Sequence, residues 1–310
     1  MSLWPEVEGG RAELINLSEN HTFRIDGPDG RRHALRLHRP GYQSDAAIDS
    51  ELAWLAALRV DTALRVPQPL RGTDGKFVQC VDVGDGLAPR AAVLFAWEKG
   101  REPVVADNLG QLFATLGAQA AQLHEQAIGF VPPPGFTRPT WDAGAVLDAD
   151  GPWGNWRQAP HVDARLRTTL DALDERLRAD LAAYGQDRGR FGLIHADMRL
   201  ANLLVDGSEV TLLDFDDCGF GWFAYDFAAA ISFFEDAPEV PELKRCWLDA
   251  YQAIRPLEPE DIAAMDTLVL LRRMALLAWI GSHGETALAQ SHVDRFAAGT
   301  AVLAERYLGQ

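Results

Sequence analysis

Between Leu193 and Asp217 the chain reads LIHADMRLANLLVDGSEVTLLDFDD, in which His195, Asp197 and Asn202 form the spacing H-x-D-x-x-x-x-N. After Asn202 comes an apolar run, Leu203 to Val205, an Asp206-Gly207 turn and a second run, Val210 to Leu213, that ends in Asp214-Phe215-Asp216. Two short strands around such a turn form a hairpin, so Asp214 is expected to return beside Asn202, where two oxygen ligands could share a metal. Moving a γ-phosphoryl group asks little covalent chemistry of a protein. It needs an acceptor hydroxyl held in line, a carboxylate to take its proton, and Mg²⁺ to bridge the phosphates. Asp197 suits the base; Asn202 and Asp214 are hard oxygen donors.

The elements that must position these groups are legible as periodicities. Ala12 to Leu17, Thr22 to Ile25 and Ala34 to His38 read as strands, the last two joined by a Gly27-Pro28-Asp29-Gly30 turn. Ile48, Leu52, Leu55 and Leu58 recur at helical spacing, and further strands are predicted at Phe77 to Val83 and Ala91 to Trp97. Beyond Trp97 the pattern turns helical. Leu109 to Leu123 and Val162 to Leu181 each present one apolar face, and Glu242 to Tyr307 predicts three or more helices. The expected fold class is α+β: an antiparallel β lobe with one helix over residues 1–97, then a mostly helical lobe over 98–310. Between the predicted helices, Val131 to Trp156 holds Trp141, Trp153 and Trp156 in a proline-rich stretch that either caps a hydrophobic edge or walls a pocket.

The H-x-D-x-x-x-x-N and D-F-D segments match the catalytic loop and D-F-G of protein kinases. With these residues the chain resembles the kinase-like small-molecule phosphotransferases: aminoglycoside phosphotransferases, choline and ethanolamine kinases, type II homoserine kinases and bacterial stress-response kinases. The likeness covers nearly the whole chain and is most specific between His195 and Asp226. It implies a bilobal protein-kinase-like fold with ATP and Mg²⁺ as cofactors; the cysteine spacing, which suggests no disulfide framework, fits a cytoplasmic enzyme. Within it, His195 would hold the catalytic loop by hydrogen bonds and Asp226 would brace that loop. Arg36 stands where V-A-I-K places its lysine, and Glu51 on the following helix is its expected partner. Ser18 and Asn20, in the loop after the first strand, would approach phosphate, and Leu94 to Glu98, with Leu94 and Trp97, would form the hinge against the adenine. Asp216 takes the place of the D-F-G glycine and would contact a second metal or the substrate. Arg199 either neutralises the transferring group or merely pairs with a surface acid.

The segment after Asp214 bears on the acceptor. Only eleven positions separate it from Tyr225 and no A-P-E comes next, which leaves no room for a loop that docks a peptide. A small hydroxylated acceptor is favoured over two other readings, a protein Ser/Thr kinase and a nucleotide-binding regulator without turnover. The formal charge of −16, from 45 acids against 29 Lys and Arg, disfavours nucleic acid and anionic membranes and favours cations. With Asp216, Asp217 and tryptophans including Trp222, it points to a cationic acceptor such as an amino alcohol, with a hydroxy amino acid also open. Cys80, Cys218 and Cys246 show neither disulfide nor zinc spacing, and Asp226 and Arg272-Arg273 interrupt the most apolar stretches. Nothing in the sequence specifies the oligomeric state.

Overall fold

A computed structural model describes residues 3–17, 20–84, 86–104 and 109–309. In chain order its first elements are β1 (Arg11–Leu17), β2 (His21–Asp26), β3 (Arg32–Leu37), α1 (Asp45–Asp61), β4 (Pro69–Leu70), β5 (Gln79–Val81) and β6 (Arg90–Ala96). Then come α2 (Leu109–Gly129), α3 (Ala143–Leu147), α4 (Ala164–Tyr184), β7 (Phe191–Ile194), β8 (Leu203–Asp206) and β9 (Glu209–Leu212). The last are β10 (Gly219–Trp222), α5 (Tyr225–Ala230), α6 (Val240–Gln252), α7 (Pro259–Ser282) and α8 (Ala287–Leu308). An antiparallel sheet region followed by mostly helical structure is the α+β class expected.

The chain forms two compact units. The first comprises Met1–Glu102, Phe130–Arg138 and Leu203–Asp216. Its sheet runs β1-β2-β3-β6-β4, with β5 also on β6. The β2–β3 turn closes with Gly30 at φ 79°, a conformation that glycine adopts without the clash a side chain would meet. β1 differs from expectation: its alternation buries no face, because it is the sheet edge and every residue in it is exposed. Leu37, Ala92 and Leu94 pack with Trp4 in a core beneath the sheet. Ser44 caps α1 by accepting from the Ala47 amide at 3.2 Å, and the helix buries Ile48, Leu52, Leu55 and Leu58, the face read from the sequence. β8 and β9 pair from Leu203↔Leu212 to Asp206↔Glu209, and Gly207 at φ 63° supplies the left-handed turn residue.

The second unit comprises Pro103–Gly129, Pro139–Asn202 and Asp217–Gln310. α7 lies against α3, α4, α5 and α8, which makes it the central helix. It starts with Pro259 in the first turn and a capping box between Glu258 and Asp261. α2 crosses α6 closely, since a Cβ at Gly117 would sit 2.1 Å from the Trp247 carbonyl oxygen. β7 pairs antiparallel with β10, Ile194 opposite Gly219. Trp141, Trp153, Trp156 and Trp222 are all buried inside this unit. The tryptophans expected to face a cleft therefore serve packing: Trp156 donates to Asp174 at 3.2 Å and Trp222 to the Gly185 carbonyl at 2.7 Å.

Candidate active site

β7 delivers the chain into the loop that begins at His195. Ala196 there is left-handed, φ 65°, a conformation costing a non-glycine residue roughly 1–3 kcal/mol and kept only where surroundings impose it. The imposing group is Asp226, in the first turn of α5 and fully buried. Its Oδ1 accepts from the Ala196 amide at 2.7 Å, and its Oδ2 from the His195 amide at 3.1 Å and from His124 Nε2 at 3.0 Å. A buried carboxylate is tolerable only with such donors. Burial pushes the His124 imidazole pKa down, although Asp226 pulls the other way. One tautomer then satisfies the network: Nε2–H donates to Asp226, and Nδ1 accepts from the Tyr251 hydroxyl at 2.9 Å. His195 is buried, and its Nδ1 accepts from the Asp197 amide at 3.3 Å, which ties the loop to itself.

Asp197 is held from both sides. Oδ1 accepts from Arg272 Nη2 at 2.5 Å; Oδ2 accepts from Asn202 Nδ2 at 2.6 Å and from Arg199 Nε at 3.1 Å. Burial alone would raise this carboxyl's pKa, but the Arg199 and Arg272 guanidiniums outweigh it and lower it to about 2. The group is thus an anion across the physiological range, fit to orient a hydroxyl and to receive its proton late. Asn202 Nδ2 also donates to the Asp197 carbonyl at 2.9 Å. With the amide nitrogen so engaged, the amide oxygen is the atom Asn202 has to offer a cation. Arg199 pairs with the buried Asp197, an acid that is not at the surface.

The first unit holds the remaining groups. Arg36, buried in β3, donates from Nη2 to Glu51 Oε2 at 2.6 Å, and its Nη1 lies 3.7 Å from Asp214 Oδ1. Burial would lower the guanidinium pKa, but Glu51, Asp216 and Asp214 raise it. Asp214 is left-handed at φ 56° with its carboxylate 43% exposed, a strained residue presenting two hard oxygens. Phe215 between the two acids is buried edge-on against Trp54 of α1, at 5.8 Å between centroids, which anchors the D-F-D segment.

Asp216, expected to contact a second metal or the substrate, is tied into the fold. It is buried; its Oδ2 accepts from Asn20 Nδ2 at 2.8 Å, while its main-chain oxygen accepts from Arg138 Nη2 and from Gln43 at 3.2 Å. Burial raises its pKa, only partly offset by Arg36. Asn20 engages its amide with Asp216 and with the Arg39 backbone N–H at 3.1 Å. Leu94 is buried, packed in the core with Trp4, Leu37 and Ala92. Trp97 follows the end of β6 and is half-buried. Ser18 lies outside the described residues.

Arg272, His124 and Arg138 are site residues that spacing along the chain does not reveal. The only signal is a pair of arginines, Arg272-Arg273, inside an otherwise apolar helix, a cost that demands buried partners. Among the described residues no three or more His, Cys, Asp or Glu side chains gather as a metal cage, and no helix is long and apolar enough to cross a membrane.

Comparison with known proteins accords with this geometry. The model of the phosphotransferase enzyme family, APH, matches residues 12–258. A solved microcompartment-associated aminopropanol kinase superposes with a TM-score of 0.90 at 40% identity, covering 99% of this chain and 94% of that one. An amicoumacin kinase solved with AMP-PNP, Ca²⁺ and its antibiotic shares the fold, with a TM-score of 0.77, 21% identity, and coverage of 96% and 90%. The homoserine kinase of Methylobacterium sp. is 30% identical over 229 residues, 70% of this chain and 63% of that enzyme. With a catalytic loop of this construction and a family match over most of its length, the chain belongs to the phosphotransferase enzyme family and is a small-molecule phosphotransferase with an alcohol group as acceptor.

Proposed function

We propose that the chain transfers the γ-phosphoryl group of ATP, with Mg²⁺, to the hydroxyl of a small amino alcohol. The observation that carries this is the ionised Asp197, held by Arg272, Asn202 and Arg199 in the H-x-D-x-x-x-x-N loop. In this reading Asp197 accepts a hydrogen bond from the acceptor hydroxyl, aligns its oxygen, and takes its proton as the new P–O bond forms. A loose transition state leaves most of the proton on the hydroxyl until late, so a weakly basic carboxylate suffices. Arg36, oriented by Glu51, holds phosphate oxygens of the nucleotide. Asn202 would offer a metal a neutral amide oxygen, and Asp214 would offer an exposed carboxylate, both hard donors. The metal when bound neutralises charge on the phosphates.

The acceptor class rests on charge and on commitment of cations. Arg199 and Arg272 are both engaged with Asp197, so neither is offered to an acceptor carboxylate, while Asp217 and the formal charge of −16 favour an ammonium. The name of the 40% identical aminopropanol kinase supports the same class. A hydroxy amino acid is the second reading, favoured by the homoserine kinase likeness. An ADP-release screen over amino alcohols, their uncharged diol analogues, hydroxy amino acids, sugars and aminoglycosides tests both. Amino alcohols should exceed their diols by at least about tenfold; preference for a diol, a sugar or an aminoglycoside overturns the proposal, and preference for a hydroxy amino acid selects the second reading.

A further inference from the structure

The catalytic loop is gripped by a residue 75 positions away in sequence. Arg272 lies in the middle of α7 with 1% of its surface exposed. Its guanidinium donates from Nε to Ser232 Oγ at 3.0 Å, from Nη1 to the Ala196 carbonyl at 3.1 Å and from Nη2 to Asp197 Oδ1 at 2.5 Å. The Trp153 ring stands at 4.9 Å from its central carbon and the Tyr225 ring at 5.9 Å. The neighbouring Arg273 is aimed elsewhere, at Glu235, at Thr300 Oγ1 at 3.0 Å and at the Phe296 ring at 3.6 Å, and thereby joins α7 to α8.

An ionised carboxylate offers about four lone-pair sites. On Asp197, Asn202 and Arg199 fill Oδ2, and Arg272 fills one site of Oδ1, so the remaining acceptor site is the second lone pair of Oδ1. That is the atom to which an acceptor hydroxyl would bind. A planar guanidinium bonded to both the Oδ1 atom and the preceding carbonyl, and itself anchored on Ser232, fixes the carboxylate's torsion in a way a lysine point charge could not. We infer that Arg272 is a positioning residue of the transfer reaction, which aims the open acceptor site of Asp197 Oδ1 at the hydroxyl through two bonds to the loop and a third to Ser232. The inference rests on the proposed role of Asp197.

Four variants test it: Arg272→Met, Arg272→Lys, Ser232→Ala and, as a control for buried-arginine loss alone, Arg273→Met. Each is assayed for thermal unfolding, ADP affinity, and initial rates of phosphoryl transfer to the amino alcohol and to water. Misplacing a reacting group by about 1 Å costs on the order of 10²-fold in rate. Arg272→Met should lose about 10²-fold in kcat while its ADP affinity stays within about threefold and its transfer to water rises relative to transfer to the acceptor. Arg272→Lys should recover part of kcat, Ser232→Ala should fall by a fewfold with the same uncoupling, and Arg273→Met should lower the melting temperature with kcat of the folded protein retained. If Arg272→Met does not fold, Ser232→Ala and Arg272→Lys carry the test by the same kcat loss and uncoupling. Retained kcat and coupling in the folded Arg272 and Ser232 variants overturns the inference, as does an equal loss of kcat in Arg273→Met. Should wild type ignore every amino alcohol, the acceptor reading fails, and the same variants are read with whichever acceptor the screen finds.

Discussion

Replacing Asp226 by Asn is the most discriminating single perturbation of the loop, because it changes hydrogen bonding and charge with little change in shape. Asp226 accepts from the amides of His195 and Ala196 and from His124, and it has no solvent exposure to absorb a mismatch. An asparagine keeps one oxygen and turns the other into a donor. If that oxygen takes the position of Oδ2, the new amide hydrogens face the Ala196 N–H; if it takes the position of Oδ1, they face both His195 and His124. At least one buried donor is left unpaired, at about 1–3 kcal/mol, and bonds that had a charged acceptor become neutral ones. The expected loss is about 2–4 kcal/mol. At roughly 2–4 °C per kcal/mol for a chain of this size, the melting temperature should drop by roughly 5–15 °C. Activity should fall further than stability, because the left-handed Ala196 is the residue that sets Asp197, and its relaxation misplaces the carboxylate. The assay is thermal unfolding of the ligand-free protein, followed by kcat at a temperature where both proteins are fully folded, with a loss of about 10²-fold expected. A melting temperature within about 1 °C of wild type together with kcat within twofold would refute the reasoning.

Asp197→Asn should leave ADP affinity nearly intact while lowering turnover by about 10² or more, since it removes the proton acceptor and not a phosphate contact; turnover within a fewfold of wild type rejects that role. Asp214→Ala should abolish the Mg²⁺-dependent part of thermal stabilisation by ATP, and survival of that increment would assign the metal elsewhere. Arg36→Met strands the buried Glu51 and should cost about 3–5 kcal/mol as well as nucleotide affinity, with Arg36→Lys restoring part of both; unfolding in urea and a nucleotide titration read the two effects. His38 is buried, and burial followed by the nearby Arg36 and Arg90 lowers its pKa to about 2. The unfolded chain therefore binds a proton below about pH 6.5 that the folded chain refuses, so this residue's contribution is intact above about pH 6.5 and is lost as pH falls toward 2. His38→Leu should flatten the decline of stability below about pH 6.5 by about 1.4 kcal/mol per pH unit, and an unchanged slope in denaturant titrations at about pH 5 and 6 would contradict it.

The sequence by itself carried whatever depends on neighbours along the chain. Spacing placed Asp197, Asn202 and Asp214 around a hairpin, because a left-handed Gly207 between two apolar runs closes such a turn without outside help. Helical periodicity located α1, α2 and α4, since each buries the one face its apolar residues share. Arg36 with Glu51 as its partner was expected from the resemblance to kinases, and the structure pairs the two at 2.6 Å. What the sequence could not carry was the choice of partner between residues far apart. Asn20 turns to Asp216, 196 positions away, and not outward, because a buried carboxylate must find a donor and no periodicity says which. Trp141, Trp153 and Trp156, which in sequence either cap a hydrophobic edge or wall a pocket, are buried packing. Arg272 is the clearest case. In sequence it is a charge interrupting an apolar helix; only the packing of α7 beside the loop after β7 puts its guanidinium on Asp197, where burial makes the pairing obligatory.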